Sequence, residues 1–249
     1  MQTDEYVRLA EVEDSMWYFR TLHRHAADLI SSHHPNARGR LLDAGCGTGG
    51  FIRRAAPWFP GLSLTGIDLF QIACDLARDR DTPRVTRAST TLLPFRSESM
   101  AVVTSLDVLQ HIPDQEKAVA EMFRVLEPGG LVVINAPAYM WLWSYHDDAT
   151  DTERRYTRTS MLRLLRAAGF DIIRSTYWNF IPLPVVVLKR KILSRFGGNG
   201  DDVKLYPAWA ERMLDAGMAV ERAWIREVGR IPAGSSVLTA ARKPHSKSQ

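Results

Sequence analysis

The stretch LLDAGCGTGG at 41–50 constrains this chain more than any other. Two leucines run into a loop with glycine at 45, 47, 49 and 50, and the periodic apolar segment Phe51 to Trp58 follows. An apolar strand, a glycine turn and a helix in that order open an open α/β sheet. The continuation agrees with it. Leu62 to Asp68 reads as a second buried strand and Ile72 to Arg80 as its returning helix. Arg84 to Arg87 and Met100 to Leu106 are further strands, and a helix runs from about Asp114 to Leu126. Pro128, Gly129 and Gly130 then turn the chain into the strand LVVINAP. Strands alternating with helices at this spacing predict right-handed crossovers and a doubly wound α/β fold with a mostly parallel sheet.

Around that core, apolar positions from Asp14 to Ser32 recur at helical spacing, giving a leading helix. Beyond Pro137 the pattern predicts a helix over 159–168, a strand over 170–178 and an irregular, proline-broken segment over 179–200. A helix over 207–228, a strand over 235–242 and a disordered tail, KPHSKSQ, complete the reading. The expected organisation is therefore an N-terminal helical cap at 1–38, a core at 39–178, a lid or substrate cover at 179–234, and a last strand with its tail at 235–249.

A chain of 249 residues, 45% apolar and 24% charged, buries a core without disulfide or metal staples. Its two cysteines, Cys46 and Cys74, lack metal-ligand spacing and fit a reducing cytoplasm, and no metal site is expected. The acidic, mixed N-terminus is unlike a signal peptide, and the longest apolar run, Phe180 to Leu188, is far shorter than the roughly 20 residues that span a bilayer. Charge is uneven: between 154 and 195 ten Arg and Lys face one acid, Asp171. Such a stretch is either a solvated face or a meeting place for an anion or a membrane surface.

Gly45, Gly47 and Gly50 satisfy G-x-G-x-x-G, which by itself also fits a nicotinamide-dependent oxidoreductase. Asp43 discriminates. At the strand's end, its carboxylate faces whatever the loop cradles, repelling a pyrophosphate and stabilising an ammonium or sulfonium.

LLDAGCGTG at 41–49 resembles motif I of the class I S-adenosylmethionine-dependent methyltransferases. Ordered likenesses follow in LTGID ending at Asp68, LLPF at 92–95, VVTSLDVLQHIPD at 102–114 and FRVLEPGGLVVINAP at 123–137. The resemblance spans about 39–178 and implies a seven-stranded Rossmann-like methyltransferase sheet, with S-adenosylmethionine as cofactor and S-adenosylhomocysteine as product. It implies that Gly45 and Gly47 allow close backbone approach, that Asp43 receives the methionyl ammonium, and that Asp68 accepts from both ribose hydroxyls. A strand-end cap is the plain alternative for Asp68. Leu69 and Phe70 would pack on the adenine, and Ser105 and Leu106 would offer carbonyls beside the methionine. Where relatives place an Asp near the adenine amine, this chain has Ser89 and Thr90, which makes a weaker contact.

In the same frame the leading helix, with Tyr18 and Arg20, folds over the cofactor. WYFRTLHR at 17–24 is distantly similar to the corresponding helix of ubiquinone-type O-methyltransferases. His111 and His146 are candidate bases for a hydroxyl acceptor, or simply structural histidines. Tyr139, Trp143 and Tyr145 lie in an alternating aromatic run that either faces a flat or cationic acceptor or packs a lid. The segment 181–195 mixes apolar and basic residues, as a substrate cover or a peripheral membrane contact would. Nucleic acid is disfavoured because no recognisable RNA-binding module accompanies the basic residues. The expected activity is methyl transfer to a small-molecule acceptor, aromatic or anionic, with O-methylation slightly favoured. A non-catalytic S-adenosylmethionine-binding protein is the other alternative.

Overall fold

The computed structural model describes residues 3–82, 84–191 and 205–245. Seven strands form one sheet: β1 (Gly39–Ala44), β2 (Leu62–Asp68), β3 (Val85–Arg87), β4 (Met100–Leu106), β5 (Leu126–Pro137), β6 (Asp171–Trp178) and β7 (Ser236–Arg242). Their order is 3-2-1-4-5-7-6. The first five are parallel, which bears out the doubly wound, mostly parallel expectation, whereas β7 runs antiparallel between β5 and β6. Helices α1 (Thr3–Val12), α2 (Trp17–His33), α3 (Gly50–Ala55), α4 (Gln71–Asp79) and α5 (Gln115–Val125) belong to the first half. Helices α6 (Tyr145–Ala149), α7 (Arg158–Ala167), α8 (Leu183–Lys191) and α9 (Ala208–Val228) belong to the second.

The central strands read as apolar runs because both their faces are covered. Leu42, Val103 and Ile134 point to one side, where they meet Val119 and Met122 of α5 and Met161 and Leu165 of α7. Leu41, Val102, Leu131 and Val133 point to the other, against Leu22 and Ile30 of α2 and Met218 and Ile225 of α9. Helix starts follow local chemistry. Asp114 accepts from the Lys117 N–H at the start of α5, and Thr157 and Ser160 form a capping box on α7.

Three elements depart from the sequence expectation. The acidic N-terminus contains α1, which buries Tyr6 and Val12. Within the segment expected to be irregular, α8 forms because Pro182 and Pro184 stand at the helix entry, where a missing N–H is harmless. The tail is ordered through its first residues. Gly129 N–H donates to the Lys243 carbonyl at 2.8 Å, and Lys243 Nζ donates to the Leu126 carbonyl at 2.8 Å. That clasp follows from a bulge in β5: Met100 pairs with Leu126 but Val102 with Leu131, so Pro128, Gly129 and Gly130 loop out of the ladder. Residues 192–195 of the expected 181–195 cover, and 246–249 of the tail, lie outside the described residues.

Candidate functional site

In this topology β1 is the switch point, since the chain winds one way through β2 and β3 and the other through β4 and β5. A ligand crevice is expected beyond the carboxyl ends of these strands. There the structure has a cavity of about 1040 Å³, bordered by Asp43, Gly45, Gly47, Asp68, Leu106 and Asp107 among others.

Asp43 is 3% exposed, and Thr104 Oγ1 donates to its Oδ1 at 2.7 Å. Burial, with the Glu13 and Asp68 carboxylates adding to it, pushes its pKa up to about 7, although the Thr104 hydrogen bond opposes the shift. The carboxylate thus sits where a cation would relieve it. Next to it, Gly45 has φ +95°, and a Cβ there would lie 2.4 Å from Val108 Cγ2. At the end of β2, Asp68 accepts from Gly47 N at 3.0 Å, Phe70 N at 3.1 Å and the Tyr6 hydroxyl at 3.3 Å. Burial raises its pKa, and these donors oppose the shift without cancelling it. Leu69 and Phe70 are both exposed and border the cavity, with Phe70 5.6 Å from the Tyr6 ring. Ser89 and Thr90 also border it, and the Ser89 hydroxyl is 2.8 Å from that of Thr91.

A polar network stands deeper in the cleft. The Tyr18 hydroxyl donates to Asp107 Oδ2 at 2.7 Å, Asn135 Nδ2 donates to Asp107 Oδ1 at 2.7 Å, and Trp178 Nε1 donates to Asn135 Oδ1 at 2.7 Å. The Tyr18 ring stacks on Trp178, 5.2 Å between centroids. Burial raises the Asp107 pKa, and its hydrogen bonds to Tyr18 and Asn135 oppose that shift. Of these residues only Tyr18 is expected at the site from the sequence. Asn135 was detectable as the one amide within an otherwise apolar strand.

His111 and His146 border the same cavity. Burial lowers the His111 pKa, so its ring is neutral at neutral pH, and its Nε2 lies 3.2 Å from Gln110 Nε2. Of the aromatic run, Tyr145 borders the cavity. Tyr139 instead stacks on Tyr177 at 5.0 Å and Trp141 at 5.5 Å, and Trp143 donates to Asp148 at 2.8 Å, both away from the cavity wall. Alternate residues share a face only in a strand, and here a 3-10 turn at Met140–Leu142 and then α6 replace it. Arg20 is likewise off the wall, engaged with Glu211 at 3.1 Å and Asp215 of α9. Ser105 is fully buried and does not border the cavity.

Two charge clusters frame the cleft. Over the glycine loop, Glu13 accepts from the Thr48 hydroxyl and, at 3.1 Å, from Arg80, clamping the turn between α1 and α2 onto β1's loop. On the opposite side Asp147 makes a bidentate pair with Arg155 at 2.8 and 2.9 Å, both side chains 3% exposed, with Arg190 at 3.8 Å. Removing one partner of a buried pair strands the other charge. Arg155→Met is therefore expected to destabilise the fold by about 3–5 kcal/mol in urea titration; a loss under about 1 kcal/mol would show the pair to be solvated.

From residues 179–234, Asn179, Pro182, Val185, Val186, Lys189, Arg190 and Tyr206 contribute to the cavity wall, whereas α9 packs on α2. Among the described residues no group of three or more His, Cys, Asp or Glu is arranged to hold a metal, and no helix is long and apolar enough to cross a membrane.

A family described as a methyltransferase domain matches residues 42–134. The phosphoethanolamine N-methyltransferase 2 of Caenorhabditis elegans is 38% identical over 100 residues, 38% of this chain and 23% of that protein. The ubiquinone biosynthesis O-methyltransferase of Idiomarina loihiensis is 29% identical over 182 residues, 65% of this chain and 74% of that protein. This chain thus spans less than a quarter of the first relative and about three quarters of the second. The crystal structure of geranyl diphosphate C-methyltransferase from Streptomyces coelicolor A3(2), holding Mg2+, geranyl diphosphate and S-adenosyl-L-homocysteine, has the same fold. Its TM-score is 0.60 at 17% identity, over 88% of this chain and 78% of that one. The switch-point cleft, its glycine loop and the matched segment agree: residues 42–134 match a methyltransferase domain, carried on the fold of solved methyltransferases.

Proposed function

We propose that the chain transfers the methyl group of S-adenosylmethionine to a small-molecule acceptor, an oxygen being slightly favoured over nitrogen or carbon. The observation that carries this reading is the placement of Asp43 and Asp68 on either side of the glycine loop, in one cavity with His111 and His146. The residues present fit the cofactor: Gly45 and Gly47 border the cavity as bare backbone, Gly45 packed so closely on Val108 that a Cβ would clash, and Asp43 is a buried carboxylate whose side chain, among the described residues, is hydrogen-bonded to Thr104. When bound, S-adenosylmethionine supplies a methyl carbon already activated for in-line displacement.

The chain's own groups then align and enclose. Asp43 takes the ammonium end, and Asp68 accepts from the ribose hydroxyls, sharing its oxygens with the Gly47 N–H and the Tyr6 hydroxyl. Leu69 and Phe70 cover a flat base, with Ser89 and Thr90 at its edge. Leu106 and the Tyr18–Asp107–Asn135 network form the wall toward the acceptor, and Tyr145 flanks it. Ser105 and Arg20 stay out of this assignment of contacts, as do Tyr139 and Trp143. Neutral His111, or His146 beside it, holds the proton of a hydroxyl acceptor. Lys189 and Arg190 border that end beside the Arg155–Asp147 pair, two cations more than that pair's own charge balance, which supports an anionic or aromatic acceptor. The relatives' names span N-, O- and C-transfer, so the histidines are what favours oxygen.

The test is transfer of radiolabelled methyl to a panel of phenols, alcohols, amines and phosphorylated acceptors. With a hydroxyl acceptor, His111→Gln or His146→Gln is expected to lower kcat by about a hundredfold while leaving cofactor affinity within about twofold. Binding of cofactor without transfer to any acceptor would leave a binding protein in place of an enzyme.

The Asp43 carboxyl adds a pH signature. Its pKa, about 7 against 3.8 for an ordinary aspartate, means that the folded chain holds the proton more tightly than the unfolded one. Its contribution to stability is full below about pH 4 and is lost as pH rises through about 7. A cationic ligand favours the ionised form, so cofactor binding at pH 6 is expected to release a proton. Calorimetry in two buffers of different ionisation enthalpy measures this, and Asp43→Asn is expected to abolish the release. Equal release by the variant would assign the proton elsewhere.

A further inference from the structure

The outer face of α9 carries Trp209, Met213, Val220 and Trp224, which recur at helical spacing and are 67, 68, 68 and 56% exposed. On the inner face Met218 and Ile225 enter the core, while buried Glu211 and Glu221 accept backbone N–H groups of Trp17, Phe180 and Ile181. A helix apolar on both faces is expected to be covered on both, yet the outer stripe of α9 faces solvent. The stripe does not end with the helix. Ile181 lies 3.4 Å from where a Cβ on Gly217 would stand, and Phe180, Ile181 and Val185 are 48, 46 and 67% exposed. Two elements distant in sequence thus build one exposed apolar surface on the order of several hundred Å², the size that marks an interaction site.

Its rim is cationic. The last turn of α8 ends in exposed Lys191, and Arg212 and Arg230 are exposed beside α9. The acids of α9 are largely spent: Glu211 and Glu221 point inward, Asp215 is paired with Arg20, and Glu227 is 3.5 Å from Arg226. Tryptophans on an apolar stripe with cations at its edge match the interface of an anionic bilayer. A second copy of this chain laid face to face would oppose one cationic rim to another. The surface also adjoins the cleft, because Pro182, Val185 and Val186 border the cavity as well.

We propose that the outer face of α9 together with Phe180–Leu188 is a docking surface for an anionic lipid bilayer. The docking stands independently of the methyl-transfer reading; only its consequence, entry of an acceptor with an apolar tail from the bilayer side, rests on it.

The test is co-sedimentation of the purified chain with vesicles of phosphatidylcholine alone and of phosphatidylcholine mixed with phosphatidylglycerol. Binding is expected to the mixed vesicles, to weaken as salt is raised, and to fall at least tenfold in the Trp209→Ser/Trp224→Ser variant with an unchanged melting curve. Lys191→Glu/Arg212→Glu is expected to weaken binding at low salt only. If the double tryptophan variant melts early, Val220→Glu carries the same test. Absence of sedimentation with mixed vesicles, or sedimentation that the tryptophan and Val220 variants leave unchanged, overturns the proposal. So does a dimer in light scattering that these variants dissolve, since the stripe would then belong to a second copy.

Discussion

Gly45→Ala is expected to abolish measurable S-adenosylmethionine binding. The added methyl would stand 2.4 and 2.6 Å from the two Val108 methyl groups, at a backbone φ of +95° that residues with a Cβ rarely adopt. Strain of about 1–3 kcal/mol and a clash between the loop after β1 and the loop after β4 push the glycine turn out of shape together. Gly47→Ala supplies the contrast. Its φ is +52°, within reach of other residues, and its nearest neighbour would be Leu9 Cδ2 at an ordinary 3.5 Å. Affinity is expected to fall far less there, by about tenfold or under. Calorimetric titration of the two variants checks the pair, with thermal melting to show the fold intact. Equal losses would mean that loop flexibility, not the Val108 contact, sets the cradle.

Asp68→Ala is the second large effect, an expected loss of more than tenfold in cofactor affinity. Hydrogen bonds to a charged group contribute about 1.5–3 kcal/mol each, and the assignment gives Asp68 two of them to the ribose. The substitution also leaves the Gly47 and Phe70 N–H groups without their present acceptor, loosening the loop on both sides. Tyr6→Phe separates the two contributions. It removes one donor from Asp68 while keeping the ring against Phe70, so affinity is expected to change by about threefold or less. Near-unchanged binding in Asp68→Ala would leave the carboxylate as a strand-end cap.

What was legible in the sequence depended on how local its cause is. The central strands were readable because burial on both faces makes Leu41–Leu42, Val102–Val103 and Leu131–Ile134 continuous apolar runs. Asp43 was readable because a charge at the end of such a run beside four glycines has few structural excuses, and the structure puts it in the cleft. The antiparallel entry of β7 was not, since it is decided by α9 returning the chain to the Pro137 end of β5, where Ser236 pairs. Nor was α1: its residues are mixed, and what orders them are partners far along the chain, Asp68 for Tyr6 and Thr48 and Arg80 for Glu13 at the turn that follows. The aromatic run at 139–145 misled because period-two spacing has meaning only in a strand, and the chain there turns. The exposed stripe of α9 shows the converse limit. Periodicity identifies a helix, but an outer apolar face is distinguishable from an inner one only after packing has chosen between them.

The central claim, that the cleft at the β1 switch point takes a cationic adenosyl ligand, is tested most directly by calorimetric titration with S-adenosylmethionine and S-adenosylhomocysteine, with NAD(H) in parallel. Saturable binding of both adenosyl ligands, and none of NAD(H), is expected. Binding of NAD(H) alone would contradict the roles given to Asp43 and Asp68, and with them the transfer reaction.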